Sequence, residues 1–170
     1  MTASEAAIRP AVADDIPRLH DLVERAYRGD SARQGWTHEA DLITGDRTSA
    51  SELLATLNDP DNAVLVADRG DALIGTVTVT RVSGDRCYLG MLAVDPRLQA
   101  SGLGRRLVAA AEDAARRTFA ARIMEMTVID ARAELVDWYL RLGYARTGET
   151  RMLEGDAGRL LPMQVLARSL

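Results

Sequence analysis

The sequence contains no lysine, so all 21 of its basic residues are arginine. A phosphate-binding P-loop requires the lysine of G-x-x-x-x-G-K-[ST], and Schiff-base catalysis requires a lysine amine, so both are excluded. The 25 acidic residues leave a net charge of −4. A basic surface that could hold nucleic acid by counterion release is therefore not expected. Any phosphate-bearing ligand must be held by a local site.

Cysteine is nearly absent as well, since Cys87 is the single one. One cysteine excludes an intramolecular disulfide and suits a reducing cytosol. The N-terminal stretch lacks the basic and apolar regions of a signal peptide. No apolar run approaches the roughly 20 residues that cross a bilayer. We therefore expect a cytoplasmic protein without membrane contact, and we expect no metal cofactor.

The hydrophobic pattern predicts an alternation of strands and helices over the 170 residues. Without repeats or linkers, residues 1–170 are expected to form a single domain. Asp14 is predicted to cap the first helix, and Ser49 and Glu52 form a capping box that opens the second. The predicted strands are 7–9, 63–68, 72–82, 87–94, 123–128, 145–153 and 161–168, and the predicted helices are 14–27, 49–57, 103–119 and 133–142.

One stretch, residues 87–119, carries the strongest functional pattern. Its apolar strand ends at Asp95-Pro96, and a loop containing Gly102 and Gly104 then opens a helix. The first turn of a helix has unpartnered N–H groups and the positive end of the macrodipole, which attract phosphate. Glycines let a ligand approach those amides closely. The stretch therefore predicts a diphosphate site.

Which diphosphate binds there is left open by the glycine pattern alone. A dinucleotide-binding fingerprint, G-x-G-x-x-G, would need glycine where Leu107 stands. Glu125 lies about where the ribose-binding acid of that fingerprint falls, so this alternative stays open.

Two motifs resemble one family. Val94-Asp95-Pro96 followed by Gln99-x-x-Gly102-x-Gly104 resembles the acyl-CoA pyrophosphate loop of the GCN5-related N-acetyltransferase (GNAT) family. Trp138-Tyr139-Leu140-Arg141-Leu142-Gly143-Tyr144 is similar to a second family segment. The resemblance implies an α/β (α+β) fold. Its central sheet is mixed and mostly antiparallel, with one parallel, splayed strand pair and helices on both faces.

The same resemblance implies acetyl-CoA as the co-substrate. Its pantetheine arm would lie in the wedge between the splayed strands, against Leu92, Ala93 and Val94. Its pyrophosphate would lie on the backbone amides of the loop and the helix start. Those residues are Gln99, Ala100, Ser101, Gly102, Leu103, Gly104 and Arg105.

The implied reaction is transfer of the acetyl group to a primary amine by direct attack in a ternary complex. Tyr139 matches the family tyrosine that often protonates the departing thiolate, and with a pKa near 10 tyrosine is protonated at neutral pH. The central strand lacks the glutamate that many members use as general base. The alternatives for the general base are Glu125, His38, Glu39 or a water chain. Arg132 replaces an asparagine that touches the cofactor in many members, and it would either contact a CoA phosphate or be solvated.

The acceptor cleft of the family maps to residues 28–47 and about 148–162. Trp36, His38 and Glu39, with Asp41, are the expected substrate-binding residues, and an acidic lining suits a cationic amine. The expected function is thus a cytoplasmic N-acetyltransferase for a small-molecule or peptide amine. The alternative is a non-catalytic acyl-CoA-binding sensor or regulatory module. Family habit also allows a homodimer.

Overall fold

A computed structural model describes residues 6–28 and 47–170, and these ranges hold seven strands and four helices. The strands are β1 (Ala7–Pro10), β2 (Asn62–Asp68), β3 (Leu73–Ser83), β4 (Arg86–Val94), β5 (Ile123–Ile129), β6 (Ala145–Glu154) and β7 (Leu160–Ser169). The helices are α1 (Ile16–Tyr27), α2 (Ala50–Asn58), α3 (Leu103–Phe119) and α4 (Ala133–Arg141). Every predicted strand and helix is present, with ends shifted by a few residues at most.

The seven strands form one mixed sheet in the order β1-β2-β3-β4-β5-β7-β6. Each neighbouring pair is antiparallel except β4 and β5, which run parallel on either side of the crossover helix α3. A parallel pair needs such a crossover, whereas the antiparallel pairs need only turns. The predicted fold class is therefore confirmed.

The parallel pair is joined over a short length only. Arg86, Cys87 and Tyr88 of β4 pair with Ile123, Met124 and Glu125 of β5, and the pairing then stops. Both strands continue beyond that point, so they diverge into a wedge. The splayed strand pair that the family resemblance implied is present.

A β-bulge lies in β4 on the open side of this pair. Thr76 of β3 is paired with Ala93 and Thr78 with Gly90, so Met91 and Leu92 together oppose the single residue Val77. Met91 adopts a left-handed conformation with φ of 50°. A bulge bends its strand and redirects its side chains, which helps β4 to turn away from β5.

Helices cover both faces of the sheet. Alternate residues of a strand point to opposite faces. Accordingly, Val66 packs in one core with Leu22 and Val23 of α1, whereas its neighbour Ala67 packs in the other core with α3. The larger core includes Leu107 of α3 together with residues of β3, β4, β5 and α4.

The predicted caps have different outcomes. The Ser49–Glu52 capping box is confirmed, because Ser49 Oγ accepts from the Glu52 N–H at 3.2 Å and Glu52 Oε2 accepts from the Ser49 N–H at 2.9 Å. The prediction that Asp14 caps the first helix is wrong. A 3-10 turn, Ala13–Asp15, precedes α1, and the buried Asp15 carboxylate accepts from the Val12 N–H at 2.9 Å and pairs with Arg9.

Among the described helices, none combines the length and the apolarity that a membrane crossing requires.

Candidate functional site

A cavity of about 870 Å³ opens where β4 and β5 diverge. Its walls come from the diverging strand ends, the loop after β4, the first turn of α3, α4 and the end of α1. Most of the predicted cofactor residues line it, namely Leu92, Ala93, Val94, Gln99, Ala100, Gly102, Gly104 and Arg105, and so does Tyr139.

Two predicted cofactor residues do not line the cavity with their side chains. Ser101 is exposed on the loop, and the Leu103 side chain is buried in the larger core. Their predicted role concerned backbone amides. Trp36, His38 and Glu39, with Asp41, lie outside the described residues.

The charges lining the cavity are unlike those of the whole protein. The described residues contribute five arginines and one glutamate to its walls, namely Arg28, Arg47, Arg105, Arg132, Arg141 and Glu154. The chain as a whole carries a net charge of −4. A cationic lining in an acidic protein suits a ligand with several negative charges. It also places Arg132, which the sequence left between phosphate contact and solvation, in the cavity wall.

The start of α3 leaves room for such a ligand. Gly102 precedes the helix with φ of 89°, a conformation that favours glycine, and a Cβ added there would meet nothing within 4 Å. Among the described residues no side chain caps this helix end. The N–H groups of the first turn therefore have no partner within the helix, and the space beside Gly102 is open.

Gly104 has a different structural reason. A Cβ there would lie 3.3 Å from Cζ2 of Trp138, so this glycine lets α3 pack closely against the Trp138 ring of α4. The sequence pattern assigned both glycines the same task of exposing amides. In the structure only Gly102 has open space beside it.

The loop between β4 and α3 carries an unsatisfied polar atom. Gln99 donates from Nε2 to the Val94 carbonyl at 3.4 Å, while its Oε1 is buried without a hydrogen-bond partner among the described residues. Buried polar atoms are normally hydrogen-bonded, and an exception beside a cavity is a candidate ligand contact. The open space at Gly102 and the cationic lining fit an anionic co-substrate such as acetyl-CoA, and the Gln99 oxygen would accept from an N–H or O–H group of such a ligand.

The shape of this loop is fixed by Asp95. Its buried carboxylate accepts from the Arg97 N–H at 3.0 Å and pairs with Arg97 Nη2 at 3.2 Å and Arg25 Nη2 at 3.5 Å. Burial acts to raise the pKa of the Asp95 carboxyl. The Arg97 guanidinium and N–H, together with Arg25, outweigh burial and hold that pKa below its ordinary value.

Sequence reasoning missed Tyr27 as a cavity residue. Its hydroxyl donates to the Leu92 carbonyl at 2.5 Å, at the bulge where β4 leaves β5. The guanidinium of Arg47 lies over the Tyr27 ring, 5.0 Å from its centroid. In the sequence Tyr27 only continues the apolar stripe of α1, so no local signal pointed to a contact 65 residues away.

Tyr139 reaches the cavity from α4. Its side chain is 5% exposed, and its ring makes edge contacts with Trp138 and Tyr144 at centroid distances of 4.9 Å and 5.8 Å. Burial raises the pKa of its hydroxyl, and the nearby Tyr27 and Tyr88 raise it further against the opposing effect of Arg132. The described residues offer this hydroxyl no hydrogen bond. It is therefore a protonated donor without a partner at neutral pH.

Glu125, an alternative general base in the sequence, is held elsewhere. Its carboxylate is 4% exposed, accepts from Arg86 Nη1 at 2.8 Å and Arg151 Nη2 at 3.4 Å, and does not line the cavity. This placement argues against both roles considered for Glu125, proton acceptor and ribose ligand.

A hydroxyl pair also lies in the cavity wall. Tyr88 Oη and Thr127 Oγ1 are 2.6 Å apart and both residues line the cavity. Neither was predicted, because their contact joins two strands that are 39 residues apart in the sequence.

The family model described as acetyltransferase (GNAT) family matches residues 16–144, most of the chain. The chain belongs to the GNAT family. Membership supports acyltransferase activity and argues against the dinucleotide-binding alternative. A search of curated proteins found no match.

Solved structures of several acetyltransferases share the fold. The chain is 21% identical to yncA from Salmonella typhimurium, solved with its cofactor acetyl-CoA, with 98% of this chain and 94% of that chain covered and a TM-score of 0.74. It is 17% identical to the ribosomal-protein-S18-alanine N-acetyltransferase from Escherichia coli (96% and 93% covered, TM-score 0.73). It is also 17% identical to the spermidine/spermine N-acetyltransferase SpeG from Vibrio cholerae (98% and 94% covered, TM-score 0.71).

Proposed function

We propose that this GNAT protein is an N-acetyltransferase that uses acetyl-CoA to acetylate a primary amine of a small molecule or peptide, by direct attack in a ternary complex. The observation that carries the proposal is the cavity itself. Diverging strands, an uncapped helix start and five arginines meet at one place in an acidic protein. The acetyl-CoA complex of yncA supports this donor, and the names of the two other neighbours are those of amine acetyltransferases.

The chain's own groups divide the binding of the donor among them. The N–H groups of Leu103, Gly104 and Arg105 would bind the pyrophosphate, with the Arg105 guanidinium beside them. The backbone of β4 from Leu92 to Val94, which has lost its pairing with β5, would bind the pantetheine arm as an added strand would. Acetyl-CoA supplies an acyl group activated as a thioester.

Tyr139 is proposed to stabilise the departing thiolate. Its raised pKa keeps the hydroxyl protonated over the whole neutral range. A thiol has a pKa near 8.5, below that of this phenol, so the hydroxyl contributes mainly a hydrogen bond to the sulfur. Such a bond is strong in a buried site.

The predictions on domain organisation, cellular location, substrate contacts and oligomeric state also belong to the proposal. Residues 1–170 would form one N-acetyltransferase domain acting in the cytoplasm. Trp36, His38 and Glu39 stay predicted substrate contacts, and the homodimer stays a prediction.

The test is calorimetric titration of the purified protein with acetyl-CoA, with NAD as the control ligand. We expect binding in the micromolar range for acetyl-CoA and none for NAD. Gly102→Glu, which adds bulk and negative charge beside the α3 amides, should weaken acetyl-CoA binding at least 100-fold. No binding by the wild-type protein would overturn the proposal.

Gly70→Glu is a matched control for that variant. Gly70 has φ of 90° and nothing within 4 Å of an added Cβ, as Gly102 has, but it lies in the β2–β3 turn. The two variants therefore carry similar backbone strain and the same charge. Loss of binding in both would mean that strain, not the site, is responsible.

A non-catalytic acyl-CoA-binding module is the second candidate function. It is favoured by the lack of a carboxylate on the part of β4 that lines the cavity, where Tyr88 and Gly90 stand. A module would bind acetyl-CoA but release no free thiol with any member of a panel of amines. Acceptor-dependent thiol release supports the enzyme.

A further inference from the structure

The hydroxyl pair of Tyr88 and Thr127 lies at the vertex of the wedge. Tyr88, opposite Glu125, is the last residue of β4 that pairs with β5. Thr127 follows Glu125 by two positions and so points to the same face of the sheet. The two hydroxyls are 2.6 Å apart and join β4 to β5 just beyond the last pair of backbone partners.

The Tyr88 ring extends toward the open end of the wedge. A Cβ built on Gly90 would lie 3.2 Å from Cε1 of Tyr88, so the ring lies over this glycine, two residues further along β4. Any side chain at position 90 would crowd the ring. Because Gly90 has no side chain, the Tyr88 phenol has room in the cavity wall, which Thr127 also lines.

The pair has hydrogen-bonding capacity to spare. Two hydroxyls offer two hydrogens and four lone pairs, and their mutual bond uses one of each. The described residues give neither hydroxyl another hydrogen bond. One hydrogen and three lone pairs therefore remain, and this excess of acceptors suits a group with several N–H donors.

Tyr139 and the pair come from opposite sides of the sheet. Leu89 and Met126, neighbours of Tyr88 and Thr127 in sequence, pack in the same core as Tyr139. Tyr88 and Thr127 therefore point to the other face, on which α1 packs. Tyr88 is still close enough to contribute to the raised pKa of Tyr139. The three side chains border one space from two sides.

We propose that the hydroxyl pair of Tyr88 and Thr127 binds the nitrogen of the acceptor amine, accepting hydrogen bonds from its N–H groups so that the nitrogen lone pair points at the thioester carbonyl. The inference rests on the proposed function and adds to it the residues that select an amine acceptor. The pair binds and orients the amine, and no proton transfer is assigned to it.

The test needs no knowledge of the natural acceptor. Two bisubstrate probes differ in one atom: CoA linked through sulfur to CH2–C(O)–NH–propyl, and the corresponding ester CH2–C(O)–O–propyl. Only the amide carries an N–H where the acceptor nitrogen would lie. We expect wild-type protein to bind the amide probe about fivefold to tenfold more tightly than the ester, as one hydrogen bond implies.

Substitutions of Tyr88 and Thr127 distinguish binding of the acceptor amine from a purely structural contact between β4 and β5. Tyr88→Phe and Thr127→Val should each lower the amide-to-ester ratio, and the double variant should bring it within about twofold of one. Thr147→Val is a matched control, because the Thr147 hydroxyl bonds the Val165 carbonyl away from the cavity, and it should keep the wild-type ratio. Melting curves check that each variant folds.

The outcomes are distinct. A wild-type protein without preference for the amide, or a double variant that keeps the preference, overturns the inference. Equal weakening of both probes in the variants means a clamp between strands, which also overturns it. Failure of the wild-type protein to bind either probe overturns the proposed function instead.

Discussion

The two ends of the β4–β5 pair consist of the same two strands but use their polar groups differently. At the closed end, Arg86 to Tyr88 with Ile123 to Glu125, the backbones bond each other. The Glu125 carboxylate there is held by two arginines. At the open end, Gly90 to Val94 with Thr127 to Ile129, strand pairing has ended and a cavity begins.

Several polar groups around the open end are bonded from outside the strand pair or have no partner among the described residues. The Leu92 carbonyl is bonded by Tyr27 of α1, whereas Gln99 Oε1 and the Tyr139 hydroxyl have no hydrogen-bond partner among the described residues. Leaving such groups unsatisfied costs stability. The closed end therefore stabilises the fold, while the open end retains bonding capacity for a ligand.

The largest expected effect tests the open end. Tyr139→Phe removes the unpartnered hydroxyl and keeps the ring, so kcat should fall roughly 100-fold because the leaving thiolate loses its donor. The Kd for acetyl-CoA should change less than about twofold, since the variant keeps the backbone amides that are proposed to hold the donor. Thiol-release kinetics and calorimetry measure the two.

Tyr144→Phe is the control for this variant. It removes a buried hydroxyl that bonds Glu112 at 2.9 Å, outside the cavity lining. It should lower the melting temperature and leave kcat nearly unchanged. An unaltered kcat in Tyr139→Phe would remove Tyr139 from its proposed role.

A smaller effect tests the closed end. Glu125→Gln leaves Arg86 and Arg151 without their carboxylate, but both guanidinium groups are partly exposed and water replaces some of the loss. The free energy of unfolding should fall by about 1–2 kcal/mol. Urea titration measures it. A large loss of kcat at unchanged stability would instead return Glu125 to the candidate bases.

The smallest effect concerns the loop at the open end and depends on pH. The pKa of Asp95 is lowered in the folded state, so its charge stabilises the fold above its unfolded pKa, about 3.9, and that contribution disappears as the pH falls toward the lower folded value. Asp95→Asn should therefore cost about 1 kcal/mol at pH 7. The difference from wild type should shrink from about pH 5 to pH 3. A difference independent of pH, measured by denaturant titration, would contradict this.

Much of the fold could be predicted from the sequence because its signals are local. Alternating apolar residues, Pro96 after β4 and the Ser49–Glu52 box each act within a few residues. The splay was implied by the family motifs rather than by periodicity. The prediction that Asp14 caps α1 was wrong because the adjacent Asp15 is the aspartate that is buried and pairs with Arg9 of β1.

The details of the site depend on contacts between distant segments. Tyr27 bonds Leu92 across 65 residues, and Tyr88 meets Thr127 only because β4 and β5 are aligned as they are. A shift of one residue in that register would place the two hydroxyls on opposite faces of the sheet. The role of Gly104 likewise depends on a distant segment, because this glycine lets α3 pack against Trp138.

The short β4–β5 pairing makes the sheet two antiparallel halves, β1 to β4 and β5 to β7, joined along the sheet by three residue pairs. A co-substrate that lies between the diverging strands bridges those halves. By mass action, a ligand present at 100 times its Kd stabilises the folded state by about 2.7 kcal/mol. The lifetime of such a protein in the cell would then follow the supply of its acyl donor, because bound donor lowers the fraction of unfolded chain.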